Sequence, residues 1–218
     1  MGHPRGGLVI ISRRGTPLVV SAPSGAGKTT LCHRVIARMT DIVFSVSHTT
    51  RAPRGDEQHG KDYHFVDDGQ FTELINNGDF LEWAHVHGRR YGTARAQAER
   101  HLRAGTDVLF DIDVQGGAQI ASALKDAVLI FIMPPSMAVL AERLRNRLTD
   151  TTEEVHRRLG AAAQEILSAA SYTHFIINDN LDEATVALES VVRAERLKHV
   201  HKEAMFKQVL GRHGPQES

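Results

Sequence analysis

The run Val19-Val20-Ser21-Ala22-Pro23-Ser24-Gly25-Ala26-Gly27-Lys28-Thr29-Thr30 nearly matches the phosphate-loop pattern G-x-x-x-x-G-K-[ST]. Its chemistry depends on the residue types. Backbone N–H groups must point inward at an anion, so bulky side chains would obstruct the wrap. Lys28 carries positive charge toward β- and γ-phosphates, and the Thr29 hydroxyl suits Mg²⁺. A helix opening here adds the positive end of its dipole. Ala22 stands where the pattern has its first glycine, and alanine costs about 1–2 kcal/mol in left-handed backbone. Ala22 is therefore expected to keep a negative φ. The alternative is an ordinary glycine-rich strand-to-helix turn, which the register of apolar run, Gly27-Lys28-Thr29 and helix disfavours. Cys32, one turn further on, reads as a small buried side chain and not as a reactive thiol.

Two carboxylates form a second group. Val108-Leu109-Phe110-Asp111-Ile112-Asp113 is an apolar run ending in acids two residues apart, which a strand points to one face. In open α/β sheets ligands bind at the carboxyl ends of the strands. Adjacent carboxylates repel unless a cation or hydrogen-bond donors lie beside them. A Mg²⁺ shell and a donor-rich base both satisfy that need. Asp113 can instead cap a helix through Gly116–Leu124.

Arg51 and Arg54 lie three residues apart in Ser47-His48-Thr49-Thr50-Arg51-Ala52-Pro53-Arg54-Gly55-Asp56-Glu57. Their planar forks suit phosphate oxygens, and Glu57 can hold one of them in position. Tyr63 and Tyr91 offer phenolic hydroxyls to the same anion. In isolation this would be a solvated charged loop; beside a phosphate loop it reads as an acceptor site. Glu82, alone among the apolar residues of Phe80-Leu81-Glu82-Trp83-Ala84, can accept from guanine N1–H and the 2-amino group. Ser47 and Thr93 can add hydrogen bonds. Taken alone, Glu82 would more commonly be an exposed helix acid.

These groups need a scaffold, and the alternation of short apolar runs with helical patterns predicts a parallel α/β sheet. Strands are expected at Pro17–Ser21, Phe44–Ser47, Asp107–Ile112, Val128–Ile132 and Phe175–Ile177. Helices are expected at Lys28–Met39, Arg95–Ala104, Ser136–Arg147 and Thr151–Ser171, with a last one from Asp182 toward Val209. Thr151-Thr152-Glu153-Glu154 has the T-x-x-E capping-box pattern. Thr49–Thr93 is polar, broken by turns, and reads as an inserted subdomain. Asn146–Thr152 reads as a mobile lid between two helices.

Lys+Arg and Asp+Glu are equal at 26 each, so bulk charge gives no attraction to nucleic acid or membrane. One cysteine excludes an internal disulfide framework and fits a reducing compartment. The apolar run Val128–Pro135 is too short to span a bilayer, and Met1–Thr16 lacks the order of a secretion signal. The expectation is a cytoplasmic chain of one domain. His85-x-His87 and His199-x-His201 lack companion ligands and are not read as metal sites.

Together these segments resemble the guanylate kinase family over roughly residues 16 to 197. The resemblance rests on the phosphate loop, Ser45 to Arg54, His59-Gly60-Lys61-Asp62-Tyr63, Phe80 to Ala84, Tyr91-Gly92-Thr93, Asp111 to Gly116, and Asn178-Asp179-Asn180-Leu181-Asp182. It implies an α/β phosphate-loop kinase with a parallel-sheet core flanked by helices, a GMP-binding insert and a short lid. The division would be a flexible extension at 1–15, core 16–44, 94–141 and 160–218, insert 45–93 and lid 142–159. The activity implied is phosphorylation of GMP, and of dGMP, by ATP with Mg²⁺ as cofactor, in purine nucleotide metabolism. The chain could be a monomer or a homo-oligomer.

By position the resemblance makes Ser47, Glu82, Thr93 and Asp113 guanine-site residues. Arg51, Arg54, Glu57, Tyr63 and Tyr91 would form the GMP phosphate site. Ala22 through Thr30 would hold ATP, with Thr29 and Asp111 at Mg²⁺, directly or through water, and Asp111 also beside GMP. Arg147 and Arg158 match lid arginines that join Lys28 and Arg51 in catalysis. The bland alternative for those two is surface pairing with Asp150, Glu153 or Glu154. Asn178 falls on the adenine side of ATP. The chain departs from the family at Leu148, at Gly55-Asp56 and at Arg89-Arg90. Two rivals are a non-catalytic binding module of the same shape, which intact Gly27-Lys28-Thr29 disfavours, and a sugar-phosphate kinase, which the base-edge set disfavours.

Overall fold

The computed structural model describes residues 13–86, 88–146 and 151–198, together with residues 206 and 210. Its first sheet has five parallel strands in the order β2-β7-β1-β8-β9. These are β1 (Pro17–Ser21), β2 (Ile42–Phe44), β7 (Asp107–Asp111), β8 (Val128–Met133) and β9 (His174–Ile177). Central β1 is buried on both faces, which is why its sequence is a continuous apolar run. Leu18 and Val20 pack with Leu31 and Val35 of α1 (Lys28–Arg38) and Leu188 of α7 (Leu181–Glu195). Val19 turns the other way, into a cluster with Leu102 of α3 (Arg95–Arg103) and Ile120 of α4 (Val114–Ala123). The helices thus cover both faces and leave the carboxyl ends of the strands open.

The second sheet has four short strands in the order β4-β3-β6-β5. They are β3 (His48–Thr49), β4 (His64–Phe65), β5 (Phe80–Val86) and β6 (Arg89–Ala94). Helix α2 (Asp68–Asn76) precedes β5, opened by a capping box between Asp67 and Gln70. Its Phe71 and Phe80 of β5 pack ring on ring at 4.7 Å. Arg90 lies over the Phe71 ring at 4.8 Å and pairs with Asp68, which gives the unusual Arg89-Arg90 pair a structural use. Helices α5 (Met137–Arg145) and α6 (Thr152–Ser168) complete the described chain and pack through Leu140, Leu144, Val155 and Ala162.

Several boundaries differ from the sequence expectation. Of the strand expected at Phe44–Ser47 only Phe44 is in a strand, because the chain leaves the first sheet there and enters the second at His48. Ser45 N–H still bonds Leu109 O at 2.9 Å, so the ladder ends by crossing over, not by fraying. Helix α2 and the β5–β6 hairpin lie inside a stretch that the sequence gives only as turns and short β pieces. The Thr151 hydroxyl does accept from Glu154 N–H at 3.3 Å. The return half of the capping box is missing, because the Glu154 carboxylate turns to Arg157 and Arg158. Helix α7 stops at Glu195, with Phe206 and Leu210 helical and exposed beyond it.

Residues 13–15, assigned to a flexible extension, are tied down. Gly15 N–H donates to Leu102 O at 2.7 Å, and Arg13 pairs with buried Asp107. Arg196 reaches the other oxygen of Asp107 at 2.7 Å, so one buried acid joins both ends of the described core. Residues 1–12, His87, residues 147–150 of the expected lid with Arg147 and Leu148 among them, and His199 and His201 lie outside the described residues.

Candidate active site

The phosphate loop takes its shape from two glycines. Gly25 and Gly27 have φ of 95° and 87°, left-handed values that side chains resist. A Cβ on Gly27 would also lie 2.4 Å from Asn178 Nδ2. Ala22 keeps a negative φ, as expected, since Asp41 is the one non-glycine with positive φ among the described residues. Asn178 is buried, and its amide donates to Ala26 O at 2.7 Å. The structure therefore gives Asn178 a seat beneath the loop, where it holds the loop backbone.

Beneath Lys28 runs a chain of bonds that the sequence did not reveal. Tyr172 O–H donates to Ser21 Oγ at 2.7 Å, and Ser21 Oγ donates to Ile112 O at 2.9 Å. Lys28 Nζ donates to the same carbonyl at 3.0 Å and forms an ion pair with Asp111. Thr29 Oγ1 donates to Asp111 Oδ2 at 3.1 Å. The loop lysine, the loop threonine and the β7 carboxylate thus converge on one point. Asp113 caps α4, accepting from Gly116 N–H at 2.8 Å, so the capping alternative holds for it.

Two clefts open at this point. One, of about 320 Å³, is lined by Ala22 to Gly25, Gly27 to Thr30, Asp111 and Glu165. The other, of about 420 Å³, is lined by residues including Ser45, Ser47, Glu57 and Tyr63. Thr29 and Asp111 belong to both walls.

In the second sheet, Arg51 and Glu57 pair through both guanidinium prongs at 2.9 Å. Glu57 also accepts from Arg54 N–H at 2.8 Å. Hydrogen bonding to Glu57 keeps Arg51 firmly charged, and the Arg51 fork in turn lowers the Glu57 carboxyl. Arg51 sits over the Tyr63 ring at 5.2 Å, and the Tyr63 and Tyr91 rings are 6.0 Å apart. Burial, then Tyr91, raises the Tyr63 phenol. Arg54 is exposed at the rim.

On β5 of the same sheet, Glu82 is 5 % exposed and accepts from Thr93 Oγ1 at 2.6 Å. Burial lifts its carboxyl to about 7; Thr93 opposes the shift and Asp113 adds to it. Its hydrogen-bond donors, the hydroxyl and the backbone N–H, both belong to Thr93.

Arg158 lies on α6 near Glu154, with Nε 3.4 Å from Oε1. Arg143 and Glu165 are site residues that sequence reading missed. Arg143 Nη2 donates to Asn178 O at 3.0 Å, at the margin of the loop. Its place in the helix expected at Ser136–Arg147, four residues before a second arginine, was a usable signal. Glu165 lines the loop cleft, and burial first, then Asp113, raises its carboxyl. Nothing in its sequence context marked it. Cys32 is buried, and that burial pushes its thiol far above the usual range, consistent with an inert side chain.

A parallel α/β sheet, a phosphate loop and an adjoining arginine–tyrosine anion site define a phosphate-loop protein built for two phosphorylated ligands. Comparison with known proteins narrows the class. The family described as guanylate kinase matches residues 14–195. A guanylate kinase of Anaeromyxobacter dehalogenans is 54% identical over 187 residues, spanning 85% of this chain and 83% of that one. One from Myxococcus xanthus is 49% identical over 185 residues, 84% of this chain and 88% of the other. The crystal structure of guanylate kinase from Anaplasma phagocytophilum aligns with TM-score 0.72 and 34% identity, covering 90% of this chain and 95% of that one. The chain belongs to the guanylate kinase family. No helix among the described residues is long and apolar enough to cross a membrane.

Proposed function

We propose that this chain transfers the γ-phosphoryl group of ATP to the phosphate of GMP, giving ADP and GDP. One observation carries the reading: the phosphate-loop cleft and the second cleft, walled by Ser47, Glu57 and Tyr63, share Thr29 and Asp111 as a common wall. Two phosphorylated ligands in these clefts would meet there. In-line phosphoryl transfer needs that meeting, and little covalent work from the protein.

The loop N–H groups and Lys28 hold the donor phosphates, over the floor formed by Ile112 O, Ser21 and Tyr172. The GMP phosphate is already an anionic nucleophile, so no general base is required. Arg51, fixed by Glu57, and Arg54 at the rim bind it, with the Tyr63 and Tyr91 hydroxyls. Ser47, Thr93, Asp113 and Glu82 read the base. The donors Glu82 has both come from Thr93; guanine offers two more along one edge, which adenine does not. The donor set at the shared wall, a threonine hydroxyl beside an aspartate carboxylate, fits Mg²⁺. When bound there, the ion supplies charge neutralisation across the β- and γ-phosphates. Arg158 of α6 and Arg143 of α5 would approach from the side of those helices and stabilise charge on the transferring group, and the resemblance adds Arg147 to them.

The test is transfer from ATP to GMP, dGMP, AMP, UMP and ribose phosphates, measured side by side. GMP and dGMP should turn over far faster than the rest. Equal use of AMP would sink the base-site reading, and no transfer to any acceptor would sink the catalytic one.

A further inference from the structure

Gln119 on α4 has no part in the reaction outlined above. Its side chain nevertheless makes a paired contact with one backbone position. Trp83 N–H donates to Gln119 Oε1 at 3.2 Å, and Gln119 Nε2 donates to Trp83 O at 3.1 Å. Trp83 lies on β5, the edge strand of the second sheet. The glutamine amide therefore stands where a neighbouring strand would be, satisfying a donor and an acceptor that the edge leaves open.

The place of this clamp gives it meaning. Strand β5 carries a register shift against β6: Phe80 pairs with Ala94, yet Glu82 pairs with Thr93, so Leu81 is an extra residue. Such a bulge redirects the following side chain and interrupts the ladder. Here it sends Leu81 into the first-sheet core beside Leu102, Phe110 and Ile120, and aims Glu82 at Thr93. The clamp closes on the next residue. Gly116, one turn before Gln119 on the same helix, lies so near Glu82 that a Cβ there would be 3.0 Å from Oε2. Helix α4 thus grips β5 twice, once at the carboxyl of Glu82 and once at the peptide beside it. The same helix begins at its cap Asp113, whose charge helps to raise the Glu82 carboxyl.

We propose that Gln119 is a positioning residue that fixes Glu82 relative to Asp113 and so sets the preference for a purine with a 2-amino group. The inference rests on the reading of Glu82 as the guanine acceptor. Two adjacent donors on a planar base require a carboxylate held to within about 0.5 Å. A strand edge interrupted by a bulge does not supply that alone. The donor side, built on β1 and α1, is not touched by the clamp.

The experiment compares Gln119→Ala, Gln119→Glu and Glu82→Gln with the parent, using GMP and inosine monophosphate, which lacks only the 2-amino group. Gln119→Ala removes two hydrogen bonds and should raise KM for GMP about tenfold, with KM for ATP within about twofold. The preference for GMP over inosine monophosphate should fall by a similar factor. Gln119→Glu keeps the acceptor for Trp83 N–H, loses the donor, and should fall between. Trp83 is the one tryptophan of the chain, so its fluorescence reports the clamp directly. Acrylamide should quench it more readily in Gln119→Ala. If Glu82→Gln destroys the GMP preference while Gln119→Ala leaves it and the quenching unchanged, the inference is wrong and the base-site reading stands. If Glu82→Gln leaves the preference intact, the base-site reading falls and the inference falls with it. Equal rises in KM for GMP and ATP would mean general loosening, and would also overturn it.

Discussion

At the scale of single residues, Glu82 trades stability for recognition. Its carboxyl titrates at about 7 in the folded chain against an ordinary value of 4.5. A group raised on folding stabilises at low pH and loses that contribution as pH rises through the folded value. Below about pH 4.5 Glu82 is protonated in both states and costs nothing; above pH 7 its ionised form costs about 3 kcal/mol. Glu82→Gln should therefore raise the thermal midpoint at pH 8, and the gain should vanish toward pH 4.5. The same variant should damage use of GMP far more than binding of ATP, since a buried donor left facing an amide N–H costs about 1–3 kcal/mol. In the parent, KM for GMP should climb as pH falls below 7, because guanine needs the ionised form, and this component should be absent in Glu82→Gln. A parent with a lower midpoint only at acid pH would reverse the sign and refute the account. Lys28 gives a simpler test. It is bonded to Ile112 O and Asp111 at a loop and lies outside the core. Lys28→Ala should keep its circular dichroism and melting profile while kcat falls about 10²–10³-fold, as for loss of a transition-state charge contact. Near-normal turnover would remove the phosphate-loop assignment.

At the scale of elements, the second sheet carries its own acid sensitivity. The His48 ring stacks on His64 at 4.6 Å, and His59 meets His64 edge-on at 5.5 Å. Burial first, then His64 and His59, lowers His48 to about 4, and its buried Nδ1 has no hydrogen-bond partner. A histidine depressed on folding contributes stability above about 6.5 that is lost as pH falls toward 4. His48→Phe keeps the stack on His64 and Phe80, so melting between those values should depend less steeply on pH. An unchanged slope would mean that other groups govern acid unfolding. The histidine stack also marks where sequence reading ends. Strand β1, the phosphate loop and α1 were legible because their chemistry is local, a motif within one strand–turn–helix. Arg51 with Glu57 was legible for the same reason, being six residues apart. The α2 helix left a signal in Asp67 and Gln70, masked by Gly69 and by the polar composition around it. The bulge at Leu81 left none, because register is a property of two strands. Tyr172 meets Ser21 across 151 positions, and no spacing rule reaches that far.

At the scale of the whole molecule, the arginines of α5 and α6 belong to a different part of the chain from the clefts they would complete. Arg158 lies two turns into α6, beside Glu154, which also pairs with Arg157. Arg157 first, then Arg158, lowers the Glu154 carboxyl, which is half-buried. On the proposed reading, Arg158 turns on closure to a stronger anion than Glu154. The transferring phosphoryl group is such an anion, and its charge is spread over its oxygens most widely in the transition state. A fork of N–H donors arriving with closure should therefore lower the barrier more than it tightens either substrate. Arg158→Lys and Arg147→Lys keep the charge and remove the fork. Each should reduce kcat well over tenfold, while the dissociation constants for ATP and GMP, measured without turnover, move little. Lys28→Ala differs, since it should also weaken ATP. If both lysine variants stay within about twofold of the parent in kcat, less than about 0.5 kcal/mol, these arginines are surface charges, and stabilisation of the transferring group falls to Lys28, Arg51 and the loop N–H groups alone.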